Sequence, residues 1–200
     1  MSAPIDFYFD FASPYGYFAA TRIDDIAARY GREVIWRPVL LGAIFKVTGM
    51  KPNLLQPLRG DYLKHDVVRF GRLLGVPLIV PEVMPLNALI ASRAYWWLYE
   101  GDAGQAKQFA RAIYHAHWGE GRDVTSVEAV AAVAEAFGIA AGELAEGVQK
   151  VEVKDRLRRE IDRAIERGVF GSPFIIVDDE PFWGADRLDQ IENWLEHGGW

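Results

Sequence analysis

The chain contains no cysteine, yet its first turn has a layout on which sulfur chemistry can be built. A β-type run, Ile5-Asp6-Phe7-Tyr8-Phe9-Asp10, delivers Ser13-Pro14-Tyr15-Gly16 to the start of an amphipathic segment. A dithiol redox turn would read Cys-x-x-Cys at these four positions; without cysteine, neither a catalytic disulfide nor a protein thiolate can form. Any thiol that works at this turn must arrive on a ligand. Ser13 stands at the start of this turn, where a serine followed by proline is most often a plain helix cap with proline in the first turn. Other polar constellations are weaker. His115 and His117 stand two apart on an expected helix and point to different faces, so no metal site is expected. The run from Arg156 to Glu160 reads as a solvated helix face, and Gly71-x-x-x-Gly75 belongs to no nucleotide-binding pattern. Tyr95, Trp96, Trp97 and Trp118 read as core or dimer-interface aromatics.

Composition narrows the classes. Two hundred residues, half of them hydrophobic and a quarter charged, describe an ordinary globular chain able to bury a substantial core. The net charge of −6 argues against nucleic acid as the main partner while leaving room for a local basic pocket for a small anion. Met1-Ser2-Ala3-Pro4 shows no basic, apolar leader, and no run approaches the ~20 apolar residues of a membrane span. A cytoplasmic location without membrane attachment is the expectation.

The turn needs elements to hold it. A strand over about 5–10 leads into a helix whose apolar positions Ala19, Ile23, Ile26, Ala27 and Tyr30 follow the 3.6 period, with Gly31 as its stop. Glu33 to Arg37, ended by Pro38, is a second strand, so the unit is βαβ with parallel strands. Leu40 to Pro57, carrying Gly42, Gly49, Pro52 and Pro57, reads as irregular structure or short helical turns. From about Arg59 to Arg167 the pattern is helical, with Ser126 as a cap, Gly138 as a stop and a last helix over about 150–167. Strand signals return at Phe174-Ile175-Ile176-Val177 and Phe182-Trp183, followed by a helix from Asp186. Neither half has enough strands to stand alone. The expectation is therefore an α/β fold: a thioredoxin-like four-stranded sheet with an all-α domain inserted between the βαβ and ββα halves. Residues 1–45 and 168–200 form the sheet domain and 46–167 the helical insertion.

Within that frame the motifs Asp10-Phe11-x-Ser13-Pro14-Tyr15, Phe45-Lys46-x-Thr48-Gly49, Gly171-Ser172-Pro173 and Phe182-Trp183-Gly184-Ala185-Asp186-Arg187-Leu188 stand together. With them the chain resembles, nearly end to end, the 2-hydroxychromene-2-carboxylate isomerases, which are similar to kappa-class glutathione transferases. The resemblance implies glutathione as cofactor, a small aromatic carboxylate as substrate and a homodimer. It implies that Ser13 stabilises the glutathione thiolate at the helix start; a charge-assisted hydrogen bond plus the helix dipole lowers a thiol pKa by about two, at about 1.4 kcal/mol each. It places Ser172 and a cis Pro173 opposite the turn, the Ser172 backbone pairing with the cysteinyl part while its side chain stays unassigned. Trp183, Gly184, Ala185 and Asp186 then receive the γ-glutamyl zwitterion, its carboxylate on backbone N–H groups and its ammonium on Asp186.

For the acceptor the resemblance points to Lys46, Asn53, Leu54 and Asn87. Lys46 would hold the substrate carboxylate and Asn53 a phenol or carbonyl oxygen. Taken alone, a loop lysine is usually solvated and an asparagine near proline is usually a turn or cap residue. The implied reaction interconverts 2-hydroxychromene-2-carboxylate and trans-o-hydroxybenzylidenepyruvate by thiolate addition, bond rotation and elimination, in aromatic hydrocarbon catabolism. Two alternatives stay open: a kappa-like glutathione transferase, and a non-catalytic peptide-binding module of the same fold.

Overall fold

The computed structural model of the protein describes residues 3–82 and 84–200; the first two residues of the Met1–Pro4 segment lie outside them. Strand β1 (Ile5–Phe9) pairs in parallel with β2 (Val34–Pro38), and on its other side with antiparallel β3 (Phe174–Val177), which pairs with β4 (Glu180–Trp183). The order β2-β1-β3-β4 joins the two ends of the chain into one sheet, as the two incomplete halves require.

The strands alternate in what they present to each face. Phe7, Phe9 and Trp36 turn to one side and pack edge-on or stacked with one another and with Tyr95 and Tyr114 of the helical segment. Asp6 and Arg37 turn to the other side, where Arg37 reaches Glu160 at 3.0 Å and Asp6 at 2.6 Å.

The helix after β1 is two helices rather than one: α1 (Pro14–Ala20) and α2 (Ile23–Arg29). The Thr21 hydroxyl donates back to the Phe18 carbonyl at 2.7 Å, one of the local side-chain bonds that compete with a continuing helix. The segment expected to be irregular or to hold short helical turns contains a two-turn helix, α3 (Leu41–Thr48), ended by Gly49 in the left-handed conformation at φ 71°. Glycine adopts that conformation without steric penalty, so here it ends a helix rather than marking a loop. The expected domain edge at 45/46 falls inside α3. Helix α4 (Arg59–Leu74) follows a short 3-10 turn, Asn53–Leu55.

The remaining helices are α5 (Leu89–Tyr99), α6 (Ala103–Tyr114), α7 (Val127–Ala134), α8 (Ala141–Gly147), α9 (Val151–Glu166) and α10 (Leu188–His197). Ser126 caps α7 through its side chain, and Gly138 closes that region at φ 73°. The chain from His115 to Gly119 is a single π-type turn.

The reading of Arg156–Glu160 as a solvated face is corrected at Glu160, which is 1% exposed and has Arg37, Arg156 and Arg163 within 3.3 Å. Three guanidinium groups replace the water a buried carboxylate loses. Tyr95, Trp96 and Trp118 are core residues of a single chain. No helix is long and apolar enough to cross a membrane among the described residues.

Candidate active site

A cavity of about 800 Å³ opens where the end of β1 faces the helical segment. Its sheet-side wall is made by Ser13 and Tyr15 of the first turn, Ser172 and Pro173 before β3, and Trp183, Gly184, Ala185 and Asp186 after β4. The opposite wall is mainly apolar: Leu41 and Phe45 of α3, Leu54, then Leu63, Val67 and Phe70 of α4, with Leu86 and Trp118 beyond. Lys51, Lys64, Arg69 and Arg187 bring positive charge to it. Among the described residues no three metal-binding side chains come together.

Ser13 is 6% exposed and caps α1. Its oxygen accepts the Gly16 N–H at 3.0 Å and its proton goes to the Ser172 carbonyl at 2.8 Å. The plain capping role is therefore present in full, and the same oxygen lies on the cavity wall. Because α1 has only seven residues, its dipole is smaller than that of the long helix the apolar pattern suggested.

The Ser172 side chain ties two loops together by accepting the Asp10 N–H at 2.9 Å, and the Ser172–Pro173 bond is cis. The Asp10 carbonyl in turn accepts the Ser13 N–H at 2.8 Å and the buried Tyr114 hydroxyl at 2.9 Å. Gly16 is required by this crowding: a Cβ there would run into the Tyr114 hydroxyl and lie 2.9 Å from Ser172 Oγ. The position that would carry the second sulfur of a dithiol turn is occupied by its neighbours' oxygens.

Asp10 is fully buried at the cavity wall, with one oxygen on the Ala12 N–H at 2.9 Å and the other on the Leu41 N–H at 2.7 Å. Loss of water pushes its carboxyl up to about 6, against the two N–H donors, which favour the anion. Tyr15 donates to Asp66 of α4, which also pairs with Arg69. Burial, then the neighbouring carboxylate, raises the Tyr15 phenol, which stays protonated around neutrality. Asp10 and Tyr15 stood in the first motif without a role; the signal that distinguishes them is a polar side chain flanked by buried aromatics at a strand end.

Of the residues that the sequence pointed to, Ser13, Ser172, Pro173, Trp183, Gly184, Ala185, Asp186, Asn53 and Leu54 line this one cavity. Lys46 and Asn87 are not part of its wall. Phe45 and Leu41 take the cavity face of α3, and Lys46, about 100° further round the helix, is exposed. Asn87 precedes the N-cap residue of α5, its side-chain oxygen accepting the Leu89 N–H at 3.2 Å, while its neighbour Leu86 faces the cavity. Asp186 pairs with Arg187 at 3.2 Å on the exposed rim, a contact that contributes little to stability.

A family profile described as a DSBA-like thioredoxin domain matches residues 4–196. A 2-hydroxychromene-2-carboxylate isomerase of Sphingobium xenophagum is 33% identical over 197 residues, covering 98% of this chain and 99% of the relative. A solved structure of a 2-hydroxychromene-2-carboxylate isomerase superposes with a TM-score of 0.87 at 30% identity, over 97% of this chain and 95% of the other. Glutathione S-transferase kappa 1 of Homo sapiens is 25% identical over 209 residues, 96% of this chain and 90% of the relative.

Proposed function

Since the chain belongs to the DSBA-like thioredoxin family, and within it to the 2-hydroxychromene-2-carboxylate isomerases, we propose that it is a glutathione-dependent isomerase interconverting 2-hydroxychromene-2-carboxylate and trans-o-hydroxybenzylidenepyruvate. The observation that carries this reading is the two-sided cavity: a polar wall of Ser13, Ser172 and Trp183–Asp186 meets an apolar wall with cations at its margin.

The polar wall fits a γ-glutamyl tripeptide. The Ser172 backbone supplies peptide-pairing groups at one end, and Asp186 beside Arg187 supplies both signs of charge at the other. When bound, glutathione supplies a thiolate that makes a double bond transiently single and then departs unconsumed. The residues of the chain do the rest. Ser13 offers the hydroxyl nearest to where sulfur works, and the apolar wall excludes water from a planar aromatic substrate. For the substrate carboxylate, Lys51 and Lys64 are better placed than Lys46, since both line the cavity. Asn53 stands beside Lys51 on the same wall and can orient a phenol or carbonyl oxygen.

Tyr95 and Trp96, being buried within one chain, leave a homodimer to the exposed apolar residues of α3 and α4 and the loop between them, Val47, Leu55, Leu58 and Tyr62. We place the reaction in the cytoplasm, where thiols are kept reduced.

The test is product analysis with purified protein and 2-hydroxychromene-2-carboxylate. Isomer formed only when glutathione is present, with free glutathione recovered quantitatively, is the expected result. A stable adduct would make the protein a transferase instead. Absence of glutathione binding by calorimetry would leave a non-catalytic module.

A further inference from the structure

The Ser13 hydroxyl has one proton, and that proton is already spent. It lies on the Ser172 carbonyl at 2.8 Å, while the oxygen accepts the Gly16 N–H at 3.0 Å. In this arrangement what Ser13 turns to the cavity is a lone pair, which repels an anionic sulfur. A hydroxyl that stabilises a thiolate must first turn its proton away from Ser172. The oxygen itself need not move, because Gly16 holds it. The Ser172 loop need not move either, because its side chain remains bonded to the Asp10 N–H at 2.9 Å. What the rotation leaves behind is a carbonyl without its donor inside a filled cavity, which is unfavourable.

We propose that Ser13 is released to sulfur by donor exchange: a ligand peptide N–H takes over the Ser172 carbonyl, so the site activates thiols carried on a peptide and leaves simple thiols unactivated. This rests on the glutathione reading above. The cysteinyl N–H is the replacement donor; the Ser13 hydroxyl hydrogen rotates about its Cβ–Oγ bond toward sulfur, and the thiol proton leaves to solvent. No bond other than the S–H bond breaks. Ser172 thereby acts as a positioning residue through its main chain. Recognition of the peptide and ionisation of its thiol become one event.

The experiment compares glutathione with its depsi analogue, in which an ester oxygen replaces the cysteinyl N–H and the shape is kept. Each is held at saturation, and the thiolate ultraviolet band is followed against pH. The expected result is a bound-thiol pKa about one higher for the analogue. The same comparison in Ser13→Ala, checked for folding by circular dichroism, should give equal values for the two ligands, because the exchanging hydroxyl is gone. Equal values in the unmodified protein, with glutathione clearly bound and ionised, would overturn donor exchange and leave the glutathione reading intact. A difference that persists undiminished in Ser13→Ala would also overturn it. Failure of glutathione itself to bind or ionise would defeat both.

Discussion

The buried carboxylate of Asp10 accepts the Leu41 N–H at 2.7 Å, fastening the end of β1 to the first turn of α3 at the wall of the cavity. Burial places its pKa at about 6 against an ordinary 3.8. A folded-state pKa above the unfolded one means a contribution that is complete below about pH 4 and lost as the pH rises through 6, with a total loss of about 3 kcal/mol. Between pH 5 and 8 roughly half of it is lost. In urea unfolding at these two pH values, the change in stability on going to pH 8 should be less favourable for the unmodified protein than for Asp10→Asn by this share. His117, whose pKa is lowered by burial, changes stability in the opposite direction but equally in both proteins, so the difference between them isolates Asp10.

Gly16 sits under the Tyr114 hydroxyl and Ser172 Oγ. Converting the turn to a dithiol by Ser13→Cys with Gly16→Cys should therefore fail to give a disulfide oxidoreductase. We expect a loss of about 1–3 kcal/mol from overpacking, plus a loss on the order of 1 kcal/mol for the missing cap. Thiol titration after mild oxidation, with thermal unfolding alongside, checks both; a fully oxidised, stable variant would refute the crowding argument.

Glu160 joins α9 to β2 through Arg37 while also facing Arg156 and Arg163. Glu160→Ala removes a shared partner from three guanidinium groups, leaving Arg37 on the sheet with Asp6 alone, and should cost about 2–3 kcal/mol in chemical denaturation. Glu160 is no part of the cavity wall, so protein that remains folded should keep its affinity for glutathione.

Lys51 and Lys64 line the cavity and Lys46 does not. Lys51→Met and Lys64→Met should each raise KM for the carboxylate substrate several-fold with a smaller change in kcat, by about 1 kcal/mol of lost binding. Lys46→Met should leave both constants unchanged. Steady-state kinetics at saturating glutathione distinguishes the three; an effect confined to Lys46→Met would return the carboxylate to α3.

Much of the frame was legible because its signals are local. The alternation in Ile5–Phe9, the cap at Ser126 and the stop at Gly138 each act within a few residues. Misreadings came from signals with two meanings. Gly42 and Gly49 suggested irregular structure or no more than short helical turns, yet Gly42 is tolerated inside α3 and Gly49 ends it. The charged run 156–160 has the pattern of a wet surface, and only the docking of α9 on the sheet buries Glu160 within reach of Arg37, 123 residues away.

By itself the sequence determined that no protein sulfur works at the first turn, that two incomplete β halves must complete one sheet, and that Ser13 begins a helix there. Those facts depend on composition and on spacings shorter than a helical turn or a strand. The tertiary structure alone decided where the Ser13 proton goes, since its acceptor on Ser172 lies 159 positions away. It also decided which lysines reach the cavity and why residue 16 must be glycine. Such matters depend on distances between elements that meet only after packing, and neither residue type nor local periodicity specifies those distances.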